Sequence, residues 1–290
     1  MPDNPDRRFV VVLGAARSGT SMLRDLIASH PSVACVPFDV SHVWRIGNDR
    51  QPHDVLRPET ATPRIARTIR DRLIGFARRN AGTAWPGARF IVEKTVGNAL
   101  RPDFVDAVLS DALYVRLVRD PRRVIASTVA AWKAPPDTGH LMRKVRLFGP
   151  ADVGYMGRYA LNAARGRVGH KRGLQIWGVR YPGIQQDLDQ ETLETVCARQ
   201  WLASVTAIDR FFADLPPERG ISVSYEALVG GPHELQRIWS FLGIGDDALA
   251  SSIFTGRVRQ SENREADLPA GLEDGTRRAI DALMAEYGYV

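Results

Sequence analysis

Apolar positions along the chain fall into short β-branched runs separated by stretches of helical spacing. Residues 9–13 form a compact apolar run, followed by a Gly-bracketed turn and then by Met22, Leu23, Leu26 and Ile27 at helical intervals. That pattern predicts a buried strand, a tight loop and a helix. Similar runs at 33–36, 90–92, 113–118 and 221–225 predict four more strands. Amphipathic periodicity predicts helices over 63–79, 102–109, 232–242 and 272–287. Leu193, Val196, Cys197, Trp201, Val205, Ile208, Phe211 and Phe212 mark one face of a longer helix. Asp120-Pro121 opens another, with Pro at the first helical position and Asp as its cap. Residues 37–62 and 254–270 read as irregular. Trp132, Trp177, Trp201 and Trp239 read as core.

Strands alternating with helices argue for an α/β fold: three layers, α/β/α, of the P-loop type, around a central and mostly parallel sheet of about five strands. The whole chain, 1–290, reads as a single domain. Residues 134–190 break the rhythm as a helical or irregular insertion, a lid or an acceptor-binding subregion. It is rich in cations, and between Thr138 and Gln186 the only acid is Asp152.

Composition narrows the setting. Apolar content of 44% and charged content of 25% are those of an ordinary globular protein, which excludes a disordered or fibrous chain. No apolar run is long enough to span a bilayer, and residues 1–8 lack the apolar core of a signal peptide. Cys35 and Cys197 fall in segments that read as buried, so no disulfide framework is implied and a reducing cytoplasm is the expected compartment. The net charge of +6 suits an anionic ligand. It is carried mostly by arginine; Lys94, Lys133, Lys144 and Lys171 are the only lysines.

The candidate chemistry starts at the first loop. Gly14, four residues and Gly19 have the spacing of a phosphate-binding loop, but Thr20 stands where that motif carries lysine. Arg17 offers a forked cation inside the loop instead. The loop therefore reads as a cradle for a phosphate or sulfate, with ATP chemistry disfavoured. Lys94 closes the 90–92 strand, next to Glu93 and Thr95. A second cation, Arg119, follows the 113–118 strand at the start of a helix.

Together these stretches resemble the PAPS-dependent sulfotransferases, and in particular bacterial members related to the protein-tyrosine sulfotransferases. Gly14-Ala-Ala-Arg-Ser-Gly-Thr-Ser21 is similar to the family's 5′-phosphosulfate loop, and 118–127 to its 3′-phosphate motif. Tyr225-Glu-Ala-Leu-Val229 with 238–243 resembles the strand and helix that close the nucleotide site. Glu93-Lys94-Thr95 and Trp177-Gly178-Val179-Arg180 resemble further family segments. The resemblance covers most of the chain, weakening across 134–190 and after 245.

It implies a bacterial cytoplasmic enzyme that transfers a sulfuryl group from PAPS (3′-phosphoadenosine 5′-phosphosulfate) to a hydroxyl, with no metal. The donor-binding residues implied are Arg17, Ser18, Gly19, Thr20, Ser21, Arg119, Ser127 and Tyr225, with Arg257 and Ser261 over the 3′-phosphate. Lys94, with Arg17, is implied to stabilise the leaving phosphate. A carboxylate base removes the acceptor proton; Asp39 is the first candidate, Glu93 the second and His42 the third. Carbohydrate, glycolipid, small metabolite and tyrosine all qualify as the hydroxyl-bearing acceptor, with anionic and lipid-linked compounds among the candidates. No nucleic acid is expected, and the basic insertion is a candidate for peripheral membrane contact. Two other readings stand beside this one: a P-loop kinase of a nucleoside or small molecule, and a non-catalytic anion- or nucleic-acid-binding protein.

Overall fold

A computed structural model describes residues 7–134, 176–257 and 267–289. Five strands build one sheet: β1 (Arg8–Leu13), β2 (Val33–Cys35), β3 (Phe90–Glu93), β4 (Leu113–Val118) and β5 (Gly220–Ser224). Their order is β2-β3-β1-β4-β5, and every neighbouring pair is parallel. β1 is therefore central and covered on both faces. That is why its sequence is apolar without alternation, and all its residues after Arg8 are buried.

The helices are α1 (Thr20–Ile27), α2 (Ser41–Trp44), α3 (Pro63–Ala81), α4 (Pro102–Val108), α5 (Pro121–Lys133), α6 (Ile184–Gln190), α7 (Leu193–Asp214), α8 (Tyr225–Gly230), α9 (His233–Phe241), α10 (Asp247–Arg257) and α11 (Asp274–Tyr287). Several begin where capping chemistry dictates. The Thr62 side chain accepts from the Ile65 amide ahead of Pro63, Asp120 from the Arg122 amide ahead of Pro121, and Thr192 from the Thr195 amide. Such caps satisfy amides that have no partner within the helix.

Side chains alternate across the sheet. Phe9, Val11 and Leu13 pack with Leu73, Phe76, Phe104 and Phe211 on one face. Val10 and Val12 pack with Leu23, Leu26, Ile238 and Trp239 on the other. A third cluster joins α5, α7 and α11 through Val124, Trp201 and Ile280. Helices thus cover both faces of the sheet, the three-layer α/β/α arrangement the sequence predicts.

Two stretches differ from expectation. Residues 37–62 contain the single turn α2, too short to register as periodicity, and the segment read as a loop from 254 begins inside α10. Of the predicted insertion, 135–175 lies outside the described residues; 176–183 is irregular and leads into α6. Both cysteines are buried and free. Among the described residues, no helix is long and apolar enough to cross a membrane.

Because β3, β1 and β4 are adjacent and parallel, the loops after Glu93, Leu13 and Val118 leave the same edge side by side. Strand spacing sets them roughly 5 Å apart per step. This edge is where ligands bind in open α/β sheets.

Candidate active site

A cleft of about 640 Å³ opens at that edge, lined in part by Arg17, Gly19, Thr20, Ser21, Asp39, Lys94, Arg119 and Ser127. The loop after β1 is held by close packing. A Cβ on Gly14 would come 2.8 Å from the Leu117 carbonyl oxygen and from Thr20 Cγ2. Gly19 has φ +94°, and a Cβ there would lie 2.7 Å from the Tyr225 ring. Arg17 is the one non-glycine among the described residues with positive φ, at 68°. Such strain persists where the surroundings over-determine it. Here the Arg17 carbonyl accepts a hydrogen bond from Arg119 Nη1 at 3.0 Å, while its own Nε donates to Ser127 Oγ at 2.9 Å. Gly19 caps α1 with no side chain, so the first amides of the helix face the cleft.

The second cradle rests on the first. The Arg119 guanidinium lies 3.9 Å from the centre of the Tyr225 ring, and Tyr225 fills the space that Gly19 leaves bare. Arg119 Nε is buried without a partner. Asp120 caps α5, and its amide donates to Glu226 Oε1; Glu226 Oε2 in turn accepts from the Tyr289 hydroxyl at 2.8 Å. The C-terminal segment thus ties down the turn that carries Arg119.

Lys94 is buried at the end of β3, and its Nζ donates to Asp39 Oδ1 at 2.8 Å. Asp39 is 31% exposed at its side chain. The two carboxylates predicted as base candidates have different surroundings. Glu93 is fully buried and faces the opposite side of β3. It accepts from Trp44 Nε1 (3.0 Å), Thr95 Oγ1 (2.6 Å) and Asn98 Nδ2 (3.0 Å). Burial raises its pKa against the pull of those donors. Thr95 Oγ1 also accepts from the Val40 amide, so Glu93 fixes the segment that carries Asp39. His42 packs edge-on against Phe76.

A model of the sulfotransferase family matches residues 10–197, well over half of the chain. The chain belongs to that family. The sulfotransferase domain from the curacin biosynthetic pathway has a similar fold, with a TM-score of 0.51 at 18% identity over 96% of this chain and 97% of that one. Sulfotransferase STF9 from Mycobacterium avium also has a TM-score of 0.51, at 15% identity over 98% of this chain and 77% of that one. No curated protein sequence matches significantly. With the family established, the kinase and the non-catalytic binding protein fall away as readings.

In this sulfotransferase the structure brings Arg17, Gly19, Thr20, Ser21, Asp39, Lys94, Arg119 and Ser127 to one cleft. Ser18 is buried behind the loop, and Tyr225 supports Arg119 from behind. Glu93 is not brought to the cleft. The side chain of Arg257, the last residue of α10, and all of Ser261 lie outside the described residues. Trp132, Trp201 and Trp239 are buried as expected, whereas Trp177 is half-buried and lines the cleft.

Sequence reasoning missed the far end of the cleft, beyond Lys94: Ser41, Asp54, Val96, Gly97 and Gly178. Asp54 is buried and clasped by Arg180, whose amide donates to Oδ2 (2.8 Å) and Nη2 to Oδ1 (2.9 Å); Arg45 Nη1 adds a third contact at 3.2 Å. Burial pushes the Asp54 pKa up, but the hydrogen bonds and charge of Arg180 outweigh it and hold the carboxyl below its usual range. The partners are 126 residues apart, which no local pattern reveals.

Proposed function

We propose that this sulfotransferase moves a sulfuryl group from PAPS to a hydroxyl acceptor by in-line transfer. The observation that carries the reading is one cleft holding two cation-bearing strand–helix turns with the Lys94–Asp39 pair beside them. The residues suit a doubly anionic donor. Arg119 Nε is a buried donor lacking an acceptor, and the bare amides at the start of α1 lack one too. PAPS supplies the sulfuryl group and a phosphate leaving group.

The amides of the first loop, with the Thr20 and Ser21 hydroxyls, hold the 5′ end. Arg119 and Ser127 hold the 3′-phosphate, and Tyr225 keeps the Arg119 fork in plane. Arg17 and Lys94 neutralise charge as it builds on the leaving oxygen, the largest contribution a preorganised site makes to such a transfer. Asp39, already at the cleft and within reach of Lys94, takes the acceptor's proton. Glu93 holds the Asp39 segment in position and does not touch the reacting atoms.

Calorimetry tests the donor assignment. Adenosine 3′,5′-bisphosphate is expected to bind tightly, while ATP–Mg²⁺ and an oligonucleotide do not; binding of ATP–Mg²⁺ alone overturns the reading. Lys94→Ala is expected to retain bisphosphate binding and to lose roughly 10²–10³ in turnover, the usual effect of removing one charge-stabilising group. Unchanged turnover removes Lys94 from the mechanism.

A further inference from the structure

We infer that the end of the cleft beyond Lys94 is an anion subsite, and that the acceptor is a hydroxyl compound carrying a carboxylate. The inference rests on the donor reading above and adds the class of acceptor.

Its centre is Arg101, a fully buried arginine on the short turn after β3. Nε donates to Asn98 Oδ1 at 3.0 Å, but Nη1 and Nη2 are both buried with no partner. A charged fork left open in this way is costly, and such groups call for an acceptor. Burial pulls its pKa down to about 10, far enough to register the cost yet leaving the group charged at neutral pH.

The open fork lies directly under the cleft floor. A Cβ on Gly97 would come 3.0 Å from Arg101 Nη2 and 3.6 Å from Ser41 Oγ. Gly97 and Ser41 both line the cleft. Only bare backbone therefore separates the guanidinium from the floor, and Ser41 offers a hydroxyl beside it.

The surrounding carboxylates are already engaged. Asp39 pairs with Lys94, Asp54 with Arg45 and Arg180, and Glu93 has its three donors. The cations at this end are Lys94, Arg45, Arg180 and Arg101; Arg101 feels Asp54 and Glu93 through space but is the one with no carboxylate hydrogen-bonded to it. A ligand carboxylate above Gly97 adds the missing negative charge at this end, held by the Ser41 hydroxyl and by attraction to the guanidinium beneath the backbone. Trp177 supplies an apolar wall for the body of such a molecule.

The test uses two phenols that differ only in the acid group. The protein, saturated with adenosine 3′,5′-bisphosphate, is titrated by calorimetry with 4-hydroxyphenylacetate and with 4-methylphenol. The wild type is expected to bind the carboxylate at least roughly tenfold more tightly, a difference of about 1.4 kcal/mol. Arg101→Met removes the fork, and Gly97→Ala puts a methyl group between fork and floor without backbone strain. Each is expected to bring the preference below about twofold. Bisphosphate affinity stays unchanged in both variants, which separates this inference from the donor reading; loss of bisphosphate binding in the wild type would instead sink the latter. Equal binding of the two phenols by the wild type overturns the subsite. So does a preference that survives both substitutions, or failure of both phenols to bind at millimolar concentration.

Discussion

Exchanging single atoms in Asp39 and Glu93 separates proton transfer from scaffolding. In Glu93→Gln the amide keeps one acceptor oxygen for Trp44 and Thr95, but its NH₂ meets the NH₂ of Asn98. Asn98 cannot turn its amide to compensate, because its Oδ1 already accepts from Arg101 Nε. One buried donor is left unsatisfied, at a cost of about 1–3 kcal/mol. For a chain of this size that lowers the melting temperature by roughly 2–5 °C. Asp39→Asn is different. It keeps the shape of the side chain but leaves buried Lys94 with a neutral partner, at a cost between the about 1 kcal/mol of an exposed pair and the about 3–5 kcal/mol of a buried one. If Asp39 is the base, turnover falls by roughly 10²–10⁴. Thermal melts and transfer of label from PAPS to a phenol, run on both variants, give the two readouts. The expected pattern is a stability loss with most turnover retained for Glu93→Gln, and for Asp39→Asn a turnover loss that persists well below its own melting temperature. The reverse pattern refutes the assignment of roles.

Arg119→Ala removes the fork over Tyr225, and bisphosphate affinity measured by calorimetry is expected to fall about 10–150-fold, the range for losing a hydrogen bond to a charged group. Tyr289→Phe deletes the hydroxyl that holds Glu226 behind the Arg119 turn. Bisphosphate is expected to bind about 2–10-fold more weakly, equivalent to one hydrogen bond, with turnover at saturating donor unchanged; an altered turnover contradicts a purely positioning role. Glu273 caps α11, and its hydrogen bonds from the Gly275 amide and from Thr276 hold its pKa down from 4.5 to about 2. A depressed carboxylate contributes stability above its unfolded pKa and loses it on acidification. Melting curves should therefore show the wild type losing stability between pH 4.5 and 2, with Glu273→Gln less stable at neutral pH and flatter across that window.

The frame of the fold was legible because its signals are local. The predicted strand at 113–118 coincides with β4, and the predicted helix starts at Pro63, Pro102 and Pro121 coincide with those of α3, α4 and α5. Proline and capping residues mark these points in the sequence itself. That Arg17, Thr20, Ser21 and Arg119 reach one cleft was legible for the same reason, since each sits in a strand–loop–helix turn of fixed spacing. Glu93 was ambiguous because a carboxylate ending a strand can face either side of the sheet. Only the packing of α2 and the turn after β3 turns it inward, under Trp44 and Asn98. The far end of the cleft was hidden for another reason. Asp54, the turn carrying Gly97 and Arg101, and Trp177 come from separate segments, and Arg101 in sequence is an ordinary arginine before a proline.

The clasp between Asp54 and Arg180 also has a consequence for local stability. The Asp54 amide donates to the Arg180 carbonyl at 2.7 Å, and the Arg180 amide returns a bond to Asp54 Oδ2. Closing this contact spans 126 residues, among them β3, β4 and α5. The sheet pairings span similar separations but carry a buried core, whereas this contact rests on a few hydrogen bonds, and such thinly packed contacts are among the first to open under native conditions. The two halves of the cleft are therefore expected to differ in cooperativity. The half around Arg17 and Arg119 is built on adjacent strands and is expected to open only with the sheet. The half around Asp54 is expected to unclasp on its own, and amide exchange at Asp54 and Arg180 should outpace that at Val11 and Leu117. Equal protection at the two places would mean that the two halves form one cooperative unit.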